Sequence, residues 1–191
     1  MFSALVTAAL KAHPLIDVVR DEVRTVDALL HHESDRVIFA KVGVGAFVRR
    51  GAAKPDISSA EAFKRSMLAA RSIAYPDPAG GGASGIYIDS LLDRLGIAGE
   101  MKPKTRLLPP TEALYGSVAS GDVEIGFNQV SEILAQPSVE LVGPLPPEIQ
   151  NYTQFAPGLV NGSGQPEAGR ALIAFLYSPA AQAVLKAKGF Q

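Results

Sequence analysis

The 191-residue sequence contains no cysteine, which excludes disulfides, thiol catalysis and cysteinyl metal sites while leaving the compartment open. It also lacks an excess of charge. Eighteen Lys and Arg face nineteen Asp and Glu, for a formal net charge of −1. Such a chain has no electrostatic footprint for nucleic acid or for an anionic membrane surface. Any anion it binds is caught locally, by backbone amides and hydroxyls. No window approaches the roughly 20 apolar residues needed to span a bilayer, so membrane insertion is not expected. Residues 1–11 are mildly apolar but have no basic start, and Lys11, His13 and Pro14 interrupt them before an export-signal core is complete. They read as an amphipathic helix in a mature or truncated chain.

Histidine is scarce too. His13, His31 and His32 all fall in the first 32 residues, and none stands with carboxylates at a metal-ligand spacing. No G-x-S-x-G elbow occurs, and no two carboxylates are marked out as an acid/base couple. The sequence therefore assigns no catalytic residue, no metal and no cofactor.

What is present is an ordinary globular composition, 47% hydrophobic and 19% charged, long enough for one domain or two small lobes. Strand-like and helix-like patterns alternate. Residues 15–19 read as a short apolar run and 20–32 as a charged helix. Residues 37–48 are rich in β-branched residues and carry two glycines, as one long strand or two in succession. Ser58 or Ser59 caps a helix over 60–70, a buried strand follows at 72–75, and a helix runs from about Ser84 to Leu95, stopped by Gly96. A strand at 105–108, a helix at 111–119, strands at 123–127 and 139–143, an extended segment at 151–160 and paired helices at 166–176 and 179–188 complete the chain. Strands alternating with helices predict a mainly parallel, covered sheet.

Three segments are candidate sites. Residues 80–85 fit G-x-G-x-x-G between a strand and a helix, the form of a dinucleotide loop. The preceding Pro76-Asp77-Pro78 makes too long and stiff a connection, and Glu100 does not follow a strand as a ribose-binding acid would, so a nucleotide is rejected. A small anion seat remains. Unpaired amides at Ala83, Ser84, Gly85 and Ile86 combine with the Ser84 hydroxyl and the helix dipole, and Gly82 lets a ligand approach the backbone. The plainer reading makes Ser84 an N-cap and the glycines a flexible connection. Asn128 and Gln129, after a parallel strand, are placed to donate amide hydrogen bonds beyond its carboxyl end; the alternative is a polar turn in which Ser131 and Glu132 start a helix. Thr111 lies at another helix start and reads by itself as a cap.

From residue 41 onward the sequence resembles the molybdate-type solute-binding proteins of ABC transporters. The resemblance rests on residues 42–52 (VGVGAFVRRGA), 72–78 (SIAYPDP), 84–87 (SGIY), 95–97 (LGI), 121–126 (GDVEIG), 139–146 (VELVGPLP) and 174–181 (AFLYSPAA), in the family's order. It implies a type II periplasmic-binding-protein-like α/β fold. Two lobes with mainly parallel sheets are joined by crossing strands, residues 1–41 and 152–191 forming the first lobe and 42–151 the second. It implies a small anionic ligand, a molybdate-like oxyanion or a small organic acid, with contacts that carry over to Ser84, loosely to Thr111 or Glu112, and to the position of Gln129. Together with the candidates read above, the expected ligand set is Gly82, Ala83, Ser84, Gly85, Tyr87, Thr111, Asn128 and Gln129. It also implies a transporter permease as partner and a periplasmic location, with a cytoplasmic one as the alternative. Gln129 stands where the molybdate binders use a tyrosine, which sets a small organic acid or another oxyanion at least level with molybdate as the expected ligand. The family's first strand and serine-bearing loop are not recognisable, so residues 1–36 read as a truncated or remodelled first lobe. Self-association through that incomplete lobe, as in an oligomeric cytoplasmic sensing module, is a second expectation. An enzyme using the same cleft is a third.

Overall fold

A computed structural model describes residues 38–158 and 164–191. The expectations for residues 1–37, including the three histidines, lie outside the described residues. The chain divides into two compact units, Val42–Thr153 and a second that includes Gln154–Gln191.

The first of these is built on a sheet of order β3-β2-β4-β1-β5, with β1 Ala40–Arg49, β2 Ile73–Pro76, β3 Thr105–Leu108, β4 Ile125–Gln129 and β5 Val139–Pro144. Strands β2, β3 and β4 run parallel, whereas β1 is antiparallel to both β4 and β5. The sheet is therefore mainly parallel, as expected, except that β1 runs against the other four. The strand-rich stretch near residues 37–48 is one ten-residue strand, buried from Val42 to Val48 because both faces of the sheet are covered.

Period-two alternation sends successive side chains to opposite faces. Val44, Ala46 and Val48 of β1, Ile73 and Tyr75 of β2, and Ile125 and Phe127 of β4 enter one apolar cluster. Its other members come from α1 Ala60–Ala69 (Phe63, Met67) and α2 Ala83–Arg94 (Ile88, Leu91, Leu92). Phe47 and Ala74 point the other way, into a second cluster with Leu114, Tyr115 and Val118. Each large side chain buried in this way contributes about 1.5–3 kcal/mol. A short helix α3, Ala98–Met101, packs beside α2, and α4 Glu112–Ser120 carries the second cluster. Gly126 sits opposite Phe47 in the β1–β4 register, and a Cβ there would come within 2.2 Å of the Phe47 ring.

Local chemistry explains the boundaries. Ser59 caps α1 by accepting from Ala62 N–H, and Thr111 caps α4 by accepting from Ala113 N–H. Gly96 and Gly121 end their helices at φ 67° and 87°. The next helix is a single turn, α5 Val130–Ile133. Beyond β5, Gln150 stands in for a strand: its Oε1 accepts from Val44 and Asn151 N–H, while its Nε2 donates to the carbonyls of Val44 and Leu145. Gly43 leaves the room, since a Cβ would lie 2.9 Å from that amide.

Strand β6, Tyr152–Phe155, follows. In the other unit, α6 Pro166–Leu176 and α7 Pro179–Ala187 form the expected helix pair, with Ser178 capping α7. Gln182 ties α7 to the chain at Phe39 by donating to its carbonyl, and Lys41 and Gln191 exchange both backbone hydrogen bonds.

Candidate functional site

The three parallel strands end side by side, at Pro76, Leu108 and Gln129. All three segments singled out in the sequence follow or close these strands, so parallel pairing brings them to one edge, where open α/β sheets bind ligands. Asp77 N–H donates to the Leu108 carbonyl, joining the loops after β2 and β3. The loop after β2 is a tight 3-10 turn, capped by the Asp77 carboxylate on Ala79 N–H and closed by Gly81 at φ 75°.

Helix α2 starts one residue earlier than the sequence suggested. Gly82 is its N-cap and offers no side-chain bond, so Ser84 is not the cap but lies in the first turn. Ile86 N–H is paired with the Gly82 carbonyl and is not free for a ligand, which corrects that part of the expected seat. The amides of Ala83, Ser84 and Gly85 remain as the orphan donors of a first helical turn, at the positive end of a twelve-residue helix. Gly85 is required by packing: a Cβ would fall 1.9 Å from the Pro76 carbonyl oxygen.

Asn128 and Gln129 are the last residues of β4 rather than the start of a turn, because the ladder with β1 continues to Gln129 opposite Val44. Asn128 is 2% exposed and uses both ends of its amide. Its Oδ1 accepts from Ser84 Oγ and from Gln129 N–H, each at 2.8 Å. Its Nδ2 donates to the Tyr115 hydroxyl and to Glu132 Oε2, also at 2.8 Å. The partners fix which end is which, since a backbone N–H can only donate. One buried amide thus joins α2, α4, β4 and α5. Gln129 Nε2 donates to Thr153 Oγ1 at 3.1 Å. Thr111 is exposed, one turn before Tyr115 on α4.

Tyr87 is not brought to this cluster. Its hydroxyl donates to the Ile149 carbonyl and accepts from Arg94 Nη2, a structural tie to the segment after β5. Conversely, sequence reasoning passed over Tyr115 and Glu132. The spacing of Asn128 and Glu132, four residues apart across the strand end, was the available signal for Glu132. Nothing local pointed to Tyr115.

Burial pushes the Glu132 carboxyl above its ordinary range, with the Asn128 hydrogen bond opposing it, and burial and Glu132 together push the Tyr115 phenol up. A carboxyl raised in the fold destabilises it when ionised; that penalty is present above the folded pKa and vanishes as pH falls towards the ordinary 4.5. Glu132→Gln keeps an acceptor for Asn128 and is expected to raise the melting temperature near neutral pH. The gain should disappear below the ordinary carboxylate range. A neutral-pH loss of stability in thermal melts at several pH values would contradict this electrostatic account. Among the described residues no cluster of His, Asp and Glu could hold a metal, and no single helix is long and apolar enough to cross a membrane.

Fold and edge together describe an α/β module with its candidate seat at the carboxyl ends of parallel strands. The chain belongs to the bacterial extracellular solute-binding proteins, whose family model matches residues 10–191. Its fold is that of the periplasmic binding proteins. The substrate-binding domain assigned to a molybdenum ABC transporter of Clostridium difficile matches with a TM-score of 0.64 at 16% identity, over 92% of this chain and 72% of that one. The periplasmic molybdate-binding protein of Azotobacter vinelandii matches at 0.56 and 17%, over 84% and 69%. In sequence, the chain is 35% identical over 160 residues to an aconitate isomerase of a Pseudomonas species, covering 83% of this chain. The chain spans 59% of the length of that curated relative.

Proposed function

We propose that the chain binds a small organic acid, with a carboxylate seated on the first turn of α2. Gly82, Ala83, Ser84 and Gly85 form the seat, Thr111 and Gln129 border it, and Asn128 holds Ser84 in place. The observation that carries this reading is the Ser84–Asn128 hydrogen bond, which ties the anion-favouring end of α2 to the end of β4. With a net charge of −1 the protein has no bulk attraction for anions, so local amide donors and a helix terminus are the means available. Tyr87 is left out because its hydroxyl is engaged elsewhere. The relative named for aconitate favours a carboxylic acid over a molybdate-like oxyanion. Family membership supports a transporter permease as the partner and a periplasmic setting.

A thermal-shift panel of citrate, tricarballylate, trans-aconitate, succinate, phosphate and molybdate tests this. A ligand at about one hundred times its Kd stabilises by about 2.7 kcal/mol, or about 5–10 °C for a chain of this size. Shifts of that order are expected from a di- or tricarboxylate. A shift from molybdate alone would replace this reading with oxyanion transport.

A second reading is favoured by the same relative: the bound acid is also isomerised. Aconitate is an unsaturated tricarboxylate with a methylene beside its double bond. Moving one proton along that three-carbon unit shifts the double bond and allows its geometry to change, with no net oxidation and no cofactor.

A further inference from the structure

Resting on the isomerisation reading, we infer that Glu132 is the base that carries the proton between the two carbons. Glu132 lies in the single turn that follows β4, at the edge where the first turn of α2 also starts. The same buried amide holds both: Asn128 Nδ2 donates to Glu132 Oε2 and Asn128 Oδ1 accepts from Ser84 Oγ. Because Gln129 N–H also donates to Oδ1, the amide cannot turn round, and its N–H groups stay aimed at the carboxylate and at Tyr115.

Other acids at this edge are less suited. The Asp77 carboxylate is committed to its own turn through Ala79 N–H, and Glu112 is exposed at the start of α4. The Tyr115 phenol is held protonated by burial and by the nearby Glu132. Partial burial makes the Glu132 carboxylate a stronger base than an exposed one.

The chemistry balances. The carboxylate takes one proton from the ligand methylene, breaking a C–H bond. The electron pair left behind spreads over the three-carbon unit and its carboxylates, where bond orders even out and rotation becomes easier. Protonated Glu132 then delivers a proton to the far carbon, forming a new C–H bond and restoring the ionised carboxylate; exchange of the held proton with solvent before delivery places a deuteron there in D₂O. Negative charge that builds on a ligand carboxylate meets the amides of Ala83 to Gly85.

The test follows trans-aconitate by proton NMR in D₂O with the wild-type chain and Glu132→Gln, alongside calorimetric titration of each with tricarballylate, which has no double bond to move. The expected result is interconversion with deuterium uptake by the wild type and a loss of about 100-fold or more in Glu132→Gln, with tricarballylate affinity retained. Turnover by Glu132→Gln within about threefold of wild type would overturn the role of Glu132 and leave the isomerisation reading standing. No turnover by the wild type overturns both; tricarballylate binding would then leave the chain a binder alone. If Glu132→Gln fails to bind tricarballylate, Glu132→Asp decides: reduced turnover with binding kept supports the role, and unchanged turnover overturns it.

Discussion

Gly85→Ala is expected to cost about 3 kcal/mol or more of stability, because the added methyl would lie 1.9 Å from the Pro76 carbonyl oxygen and 2.8 Å from its carbon. Both are backbone atoms at the end of β2, so no side chain can swing aside. The helix must lift off the strand, and Ile88, Leu91 and Leu92 would lose part of their packing in the main core. Gly82→Ala three residues earlier is the control. Its Cβ would meet only Pro76 Cβ at 3.6 Å, and its φ of −70° suits any residue. Thermal melts should show a drop of about 6–12 °C for Gly85→Ala and little change for Gly82→Ala. Equal effects would mean that α2 is not seated on β2 as described.

The second large effect belongs to Asn128. Replacement by alanine removes one side chain and deprives four groups of a partner: the Ser84 hydroxyl, Gln129 N–H, the Tyr115 hydroxyl and the Glu132 carboxylate. A buried polar group left without its hydrogen bond costs about 1–3 kcal/mol, and members of one network act together. Asn128→Ala should therefore lose about 3 kcal/mol in urea unfolding. It should also abolish any ligand-induced stabilisation, since Ser84 is no longer held against β4. A change below about 0.5 kcal/mol is the range of an unremarkable surface substitution and would remove Asn128 from the centre of the site.

Much of the fold was legible because it is written locally. The alternation of Val44, Ala46 and Val48 with Phe47 announces a strand covered on both faces. Ser59, Thr111, Gly96 and Gly121 mark helix ends by side-chain and left-handed caps. What was not legible depends on distant contacts. That β1 runs against its neighbours follows from where it joins the sheet, between β4 and β5, and not from its own pattern. Ser84 has the residue type of an N-cap, yet Gly82 takes that position because the helix starts where Gly85 must fit against Pro76. The hydrogen bond between Ser84 and Asn128 spans 44 residues, and Tyr115 enters the cluster only because α4 packs across the sheet. Local reading singled out three of the four elements in that network, α2, α4 and β4, and read Glu132 only as part of the helix start that α5 provides. It also assigned to a ligand a tyrosine, Tyr87, that the structure uses to hold Ile149.

The central claim is the location of the seat, and amide chemical-shift mapping tests it most directly. Titrating tricarballylate into ¹⁵N-labelled protein should move the signals of Gly82, Ala83, Ser84 and Gly85 most, with Thr111, Asn128 and Gln129 following and Tyr87 moving least. Saturable shifts centred on another part of the chain, with residues 82–85 unmoved, would contradict the account.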